Sequence, residues 1–168
     1  VGHHGQGGGK YTVTDLVIED LIATLHVNNG GNNVALAFSQ YGTATLKNCV
    51  MTGVTTEKEG YKPYDAGFVN GTTTFIEGGK YGSVYLSHQA HVTITGAEVD
   101  TIDAYTFTSA NGNKVYGRLT VGAGAKIGTI TLSTTGSYKP SLVIEEGAEI
   151  GQIVYKGVSY TVEEWLAR

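Results

Sequence analysis

The chain has 168 residues, enough for one domain with a substantial core, and its 11 Lys+Arg against 15 Asp+Glu leave a net charge of -4 with no basic block. That balance argues against a nucleic-acid partner, and no apolar run is long enough to span a membrane as a helix. With 25 Gly, 2 Pro, 11 Tyr and 15% charged residues, the composition is one of strand formers punctuated by turn formers.

Residues 1–9, VGHHGQGGG, read as a flexible leader with nothing to bury. His3 and His4 lack a third ligand and make a poor metal site. Residues 10–160 read as a β-solenoid, and the decisive observation lies near its end. Residues 119–132, LTVGAGAKIGTITL, and 142–155, LVIEEGAEIGQIVY, repeat Leu, Val/Ile, Gly-Ala, Ile-Gly and Ile in the same order. A repeated β unit buries its apolar face by stacking on its copy. Registered on a small corner residue, Gly147 and Gly124 align with Gly96 and Gly78, more weakly with Asn48, and most weakly with Asp20. Turns then begin near residues 18, 46, 76, 94, 121 and 144. Each turn is a short strand, a corner and a second strand with alternating inward residues. Ile127, Ile130 and Leu132 match Ile150, Ile153 and Tyr155.

The single cysteine, Cys49, rules out a disulfide within the chain. Its neighbours mark it as a small buried residue, without the His partner or cationic setting of a catalytic thiol. Residues 161–168 form the last element. Thr161-Val-Glu-Glu164 has capping-box spacing and opens a short amphipathic helix with Trp165 and Leu166, read as the lid on the solenoid's open end.

Residues 44–53, ATLKNCVMTG, resemble the rung pattern of right-handed parallel β-helices of the pectate-lyase-like superfamily. There an apolar-x-apolar strand leads into an Asn corner, then an apolar pair and Gly. The later Gly-Ala turns look like β-helical stretches in surface proteins of gut bacteria and their phages. The resemblance implies an all-β, right-handed parallel β-helix of about six turns with a short C-terminal capping helix. Lyase members carry clustered Asp for calcium and a catalytic Arg or Lys. Neither maps onto this chain, whose arginines are Arg118 and Arg168.

Four predicted loops leave one edge of the repeat, at 28–33, 55–71, 109–117 and 133–141. Rigid scaffolds present binding groups on such loops. Tyr61, Tyr64, Asp65, Asn113, Tyr116 and Tyr138 combine aromatic faces for a sugar ring with polar groups for its hydroxyls. His88, in the short 87–91 loop that His91 closes, joins them as a contact candidate. Asp100 and Asp103, three apart on one strand, are expected to face opposite sides, which weakens them as an acid–base pair. A glycosidase needs two carboxylates within roughly 5 to 9 Å of each other, and Asp100 still has Glu98 or Glu149 as a candidate partner across turns. Outward Tyr81, Tyr85, Tyr105 and Phe107 are candidates for a subunit interface. Outward Thr93 with Thr95, and Thr129 with Thr131, hint at an ice-binding array, against which the irregular turns and intervening charges argue.

The reading is a structural, adhesive module of a phage tail appendage or bacterial surface protein. It displays stacked loops to a glycan or protein receptor as a homo-oligomer, most simply a trimer. The location is extracellular, on a cell surface or a virion. No cofactor and no metal are called for, and no nucleic acid or membrane insertion. The alternative is a polysaccharide-cleaving enzyme using Asp or Glu between turns.

Overall fold

The computed structural model describes residues 9–22, 33–39, 42–56, 63–69, 73–86, 90–106, 117–134 and 141–168. The chain is all-β: thirteen strands hydrogen-bonded into one curled, open sheet, with a single short helix among the described residues. Its strands pair in parallel, apart from the last, and fall into columns.

The first column runs from β1 (Lys10–Thr14) to the start of β4 (Thr43–Thr52) and the start of β6 (Thr73–Leu86). It continues through β7 (His91–Thr95) and β9 (Arg118–Val121) to β11 (Ser141–Ile144). The second begins at β2 (Val17–Glu19) and passes through the later parts of β4 and β6. It ends with β8 (Glu98–Thr106), β10 (Lys126–Thr134) and β12 (Glu149–Tyr155). A third, shorter set joins β3 (Asn33–Ser39) to β5 (Pro63–Val69), and β5 to the end of β6.

Register stacks like on like. Leu46, Ile76, Ile94 and Val121 form one buried row, and Met51, Tyr81, Val99 and Ile127 another. Cys49, Ala97 and Ala125 line the inside of the corner, where only small side chains fit. Cys49 is free and fully buried, as its neighbours imply.

The corner residue is where sequence register and structure part company. Asn48, Gly78, Gly96, Gly124 and Gly147 all take the left-handed conformation, with φ between 50° and 81°. Glycine adopts it freely and Asn or Asp at small cost. In the first turn the equivalent residue is Asp15 (φ 53°), because Thr14 pairs with Lys47, and Asp15 N–H donates to the Lys47 carbonyl at 3.0 Å. Asp20, the residue the repeat alignment selects, also has a positive φ of 52° but lies further on. It follows Glu19, the partner of Thr52, and so lies beside Gly53 (φ 76°).

A second bend interrupts the second column. Inward residues there are spaced by three, Val99 then Ile102 and Ile127 then Ile130, so the two residues between them both face out. Gly82, Asp100, Gly128 and Gly151 share this position by register. A Cβ on Gly128 would lie 2.5 Å from the Asp100 carbonyl oxygen, which is why the position is small.

At the far end β13 (Val158–Tyr160) folds back antiparallel on β12 through Lys156-Gly157, both at positive φ, as a two-residue hairpin requires. The helix α1 (Val162–Leu166) follows with both capping-box hydrogen bonds present: Glu164 N–H to Thr161 Oγ1 at 3.2 Å and Thr161 N–H to Glu164 Oε2 at 2.8 Å. Trp165 packs edge-on against Tyr155 and Tyr160, with ring centroids 5.8 and 5.9 Å away, and the Arg168 guanidinium lies over all three rings.

Candidate functional site

Five of the residues expected to contact a ligand, Tyr61, His88, Asn113, Tyr116 and Tyr138, lie outside the described residues. Tyr64 and Asp65 are described, and they are not in a loop. They belong to β5, whose Ala66 and Phe68 are buried and pair with Val84 and Leu86 of β6.

Asp65 is only 4% exposed, and its carboxylate is filled by the protein itself. Along one edge, β6 pairs with β4 as far as Tyr81 and with β5 from Val84 onward. The amides at this change of partner need an acceptor. Asp65 Oδ1 accepts from Val54 N–H at 2.9 Å, and Oδ2 accepts from Ser83 N–H at 2.6 Å and Ser83 Oγ at 2.9 Å. A Cβ on Gly82 would lie 2.5 Å from Oδ2, so glycine leaves room for the carboxylate. Asp65 is thus a clip between β5, β6 and the segment that follows β4. A polar group taken out of water costs free energy unless it is hydrogen-bonded, and these donors satisfy it.

Tyr64, 8% exposed, donates its hydroxyl to Asp103 Oδ2 at 2.6 Å and packs on Tyr85 with ring centroids 5.1 Å apart. Burial, then the Asp103 carboxylate, holds this phenol above its ordinary pKa, so it remains a neutral donor. Tyr81 is not an outward interface residue: it is fully buried in the core, and Tyr85 is 8% exposed.

Among the described residues, two outward grooves cross the strands. One lies over the second bend, about 440 Å³ in volume, lined by Glu98, Asp100, Lys126 and Glu149 and floored by Gly128 and Gly151. It brings Asp100 together with Glu98, two residues earlier on the same strand β8, and with Glu149 of β12, two strands over. Lys80, Glu98, Lys126 and Glu149 follow one another in register, so the row alternates in charge and offsets its own carboxylates. Asp100 and Asp103 are not on opposite faces: the bend turns both outward. Among the described residues no group of three or more His, Cys, Asp or Glu is placed to hold a metal ion.

The other groove, about 260 Å³, lies over the first column. Thr73, His91 and Arg118 are consecutive in one register row, and Phe75, Thr93 and Thr120 in the next. Phe75 is 39% exposed, an aromatic ring facing out between threonines, and Glu145 lines the groove's other side. Phe75 and Arg118 escaped sequence reasoning, because each sits alone in a strand and only the register places them side by side. Thr93 and Thr95 do face outward, but their rows also carry Phe75 and Glu77 and the adjoining row carries His91 and Arg118, so no uniform threonine face forms.

Neither the family models, the curated proteins nor the solved structures give a match to this chain.

Proposed function

We propose that the chain is a right-handed parallel β-helix of about six turns, serving as an adhesive module that presents its outer face to a glycan receptor. The parallel columns with in-register left-handed corners support the helical reading. The observation that carries the function is the groove over the first column, where the exposed Phe75 ring lies beside threonine hydroxyls and charged groups. An aromatic face against the C–H face of a pyranose, with polar groups around it, is how protein surfaces hold sugars. The resemblance of its turns to surface and phage tail-appendage proteins supports a location outside the cell, on a surface or a virion, and a homotrimer.

Binding of the full chain to a panel of immobilised glycans tests this reading. Specific binding to some members, weakened by Phe75→Ala without loss of thermal stability, supports it; no binding across the panel, or binding indifferent to Phe75, overturns it. Light scattering on the same sample reports the assembly, and a monomeric mass removes the trimer from the proposal.

The Glu98, Asp100 and Glu149 groove favours the second reading, a polysaccharide-cleaving enzyme. That reading requires release of reducing ends from a polysaccharide and its loss in Asp100→Asn.

A further inference from the structure

We propose that the groove over the first column selects a sulfated saccharide, with the sulfate ester held by Arg118 and His91 and the sugar ring lying on Phe75. This rests on the glycan-binding reading above and narrows it to a ligand class.

Arg118 pairs in register with His91, so the two side chains leave adjacent strands about 4.8 Å apart on the same outward face. Both are exposed. Among the described residues neither makes an ion pair, although the chain as a whole is acidic. Their neighbours in the row are hydroxyls, Thr73 on one side and Ser141 on the other. Three consecutive hydrogen-bond donors, Thr73, His91 and Arg118, therefore line one side of the groove with no carboxylate among them.

The form of the anion follows from this row. A guanidinium binds oxyanions through two parallel N–H groups. A carboxylate offers two oxygens, which Arg118 alone satisfies. A sulfate ester offers three, enough to engage the imidazole or a flanking hydroxyl as well. A phosphate monoester also has three, but at neutral pH it carries a charge of about -1.5 to -2. Glu145, lining the same groove, disfavours a second negative charge more than a single one. One negative charge spread over three oxygens is the best match.

Phe75 sits one row over and two strands away from Arg118, with Thr93 and Thr120 between them and the far side. A pyranose resting on the ring directs an ester group toward the cationic row, and its hydroxyls reach Thr93, Thr120 and Glu145. The volume of about 260 Å³ suits one sugar unit, with the rest of an oligosaccharide running along the open face.

The experiment is isothermal titration of the full chain with three oligosaccharides of equal length: a 6-sulfated galactan, the same galactan desulfated, and a galacturonate. The sulfated form is expected to bind about tenfold or more tighter than either of the others, the worth of a hydrogen bond to a charged group. Arg118→Gln should abolish that preference and leave a weak residual affinity common to the three. Lys80→Gln, which removes a cation from the neighbouring column, should change nothing. Equal affinity for sulfated and desulfated chains, a preference for galacturonate, or indifference to Arg118→Gln each overturns the sulfate assignment. In those cases binding that still depends on Phe75 leaves the glycan reading standing. Absence of binding to all three, together with a blank glycan panel, removes both.

Discussion

Asp65 shows how one side chain decides whether two strands can share a third. Val54 and Ser83 present amides where β6 changes partner, and the carboxylate accepts from both. Asp65→Ala leaves these donors buried without an acceptor, at about 1–3 kcal/mol each, so a loss of about 2–5 kcal/mol in urea-monitored stability is expected. Asp65→Asn keeps one oxygen but sets an amide N–H₂ against a donor, and should fall between. A stable Asp65→Ala variant that has lost ligand binding would instead restore the contact role first assigned to this residue. Tyr64 gives a pH signature. Its folded pKa lies above the unfolded value of about 10, so its contribution to stability is complete below pH 10 and is lost as pH rises through the folded value. Alkaline unfolding followed by tyrosinate absorbance should therefore shift in Tyr64→Phe, which has no phenol to ionise. As chemistry, Tyr64 and Asp65 stand out in the sequence. Their placement does not, because a strand seven residues long inside an apparent insertion is recognisable only once its partner on β6 is known.

At the scale of the element, the corners carry the most information per residue. The glycines at 78, 96, 124 and 147 mark turns in the sequence because left-handed backbone is costly for residues with a Cβ, and the alignment built on them matches the observed register. The same alignment fails at the first turn. Asp15 and Asp20 are both left-handed, both accepted there for the same physical reason, and five residues apart, so composition alone does not say which one stacks on Asn48. The second bend was hidden for the opposite reason: its rule is shortage of space, met by Gly82, Gly128 and Gly151, while Asp100 stands at the same register position and breaks the pattern in the sequence. These differences predict different responses to substitution. Asn48→Gly should be neutral within about 0.5–1 kcal/mol, since it removes a strained conformation at some entropic cost. Gly78→Ala should cost clearly more, by about 2 kcal/mol or above, because a Cβ there meets both a φ of 75° and the Asn48 Oδ1 atom 2.5 Å away. Thermal melts of the pair decide it; equal losses would mean that conformational preference alone governs the corner.

For the whole molecule, the pattern of strand contacts sets where stability resides. β6 is hydrogen-bonded to four strands, β4, β5, β7 and β8, and its later residues Val84 and Leu86 are buried and pair with β5 on one side and β8 on the other. β1 and β2 pair among named strands only with β4, and the edge they form carries exposed Val17, Leu21 and Ile22. At the opposite end β13 and α1 cover the last strand of the second column, with Trp165 against Tyr155. In an array where each strand touches only its neighbours, the free energy of opening rises from an edge toward the middle instead of being uniform. Amide hydrogen exchange should therefore be slowest in β6, β8 and β10 and fastest in β1 and β2, with β12 more protected than its position near the end suggests. Removing the capping box by Thr161→Ala, a loss of about 1 kcal/mol, should accelerate exchange in β12 and β13 and leave β1 and β2 unchanged. Uniform acceleration across all strands would show that the sheet opens as one cooperative unit, and the nearest-neighbour picture would then give way to a single global transition.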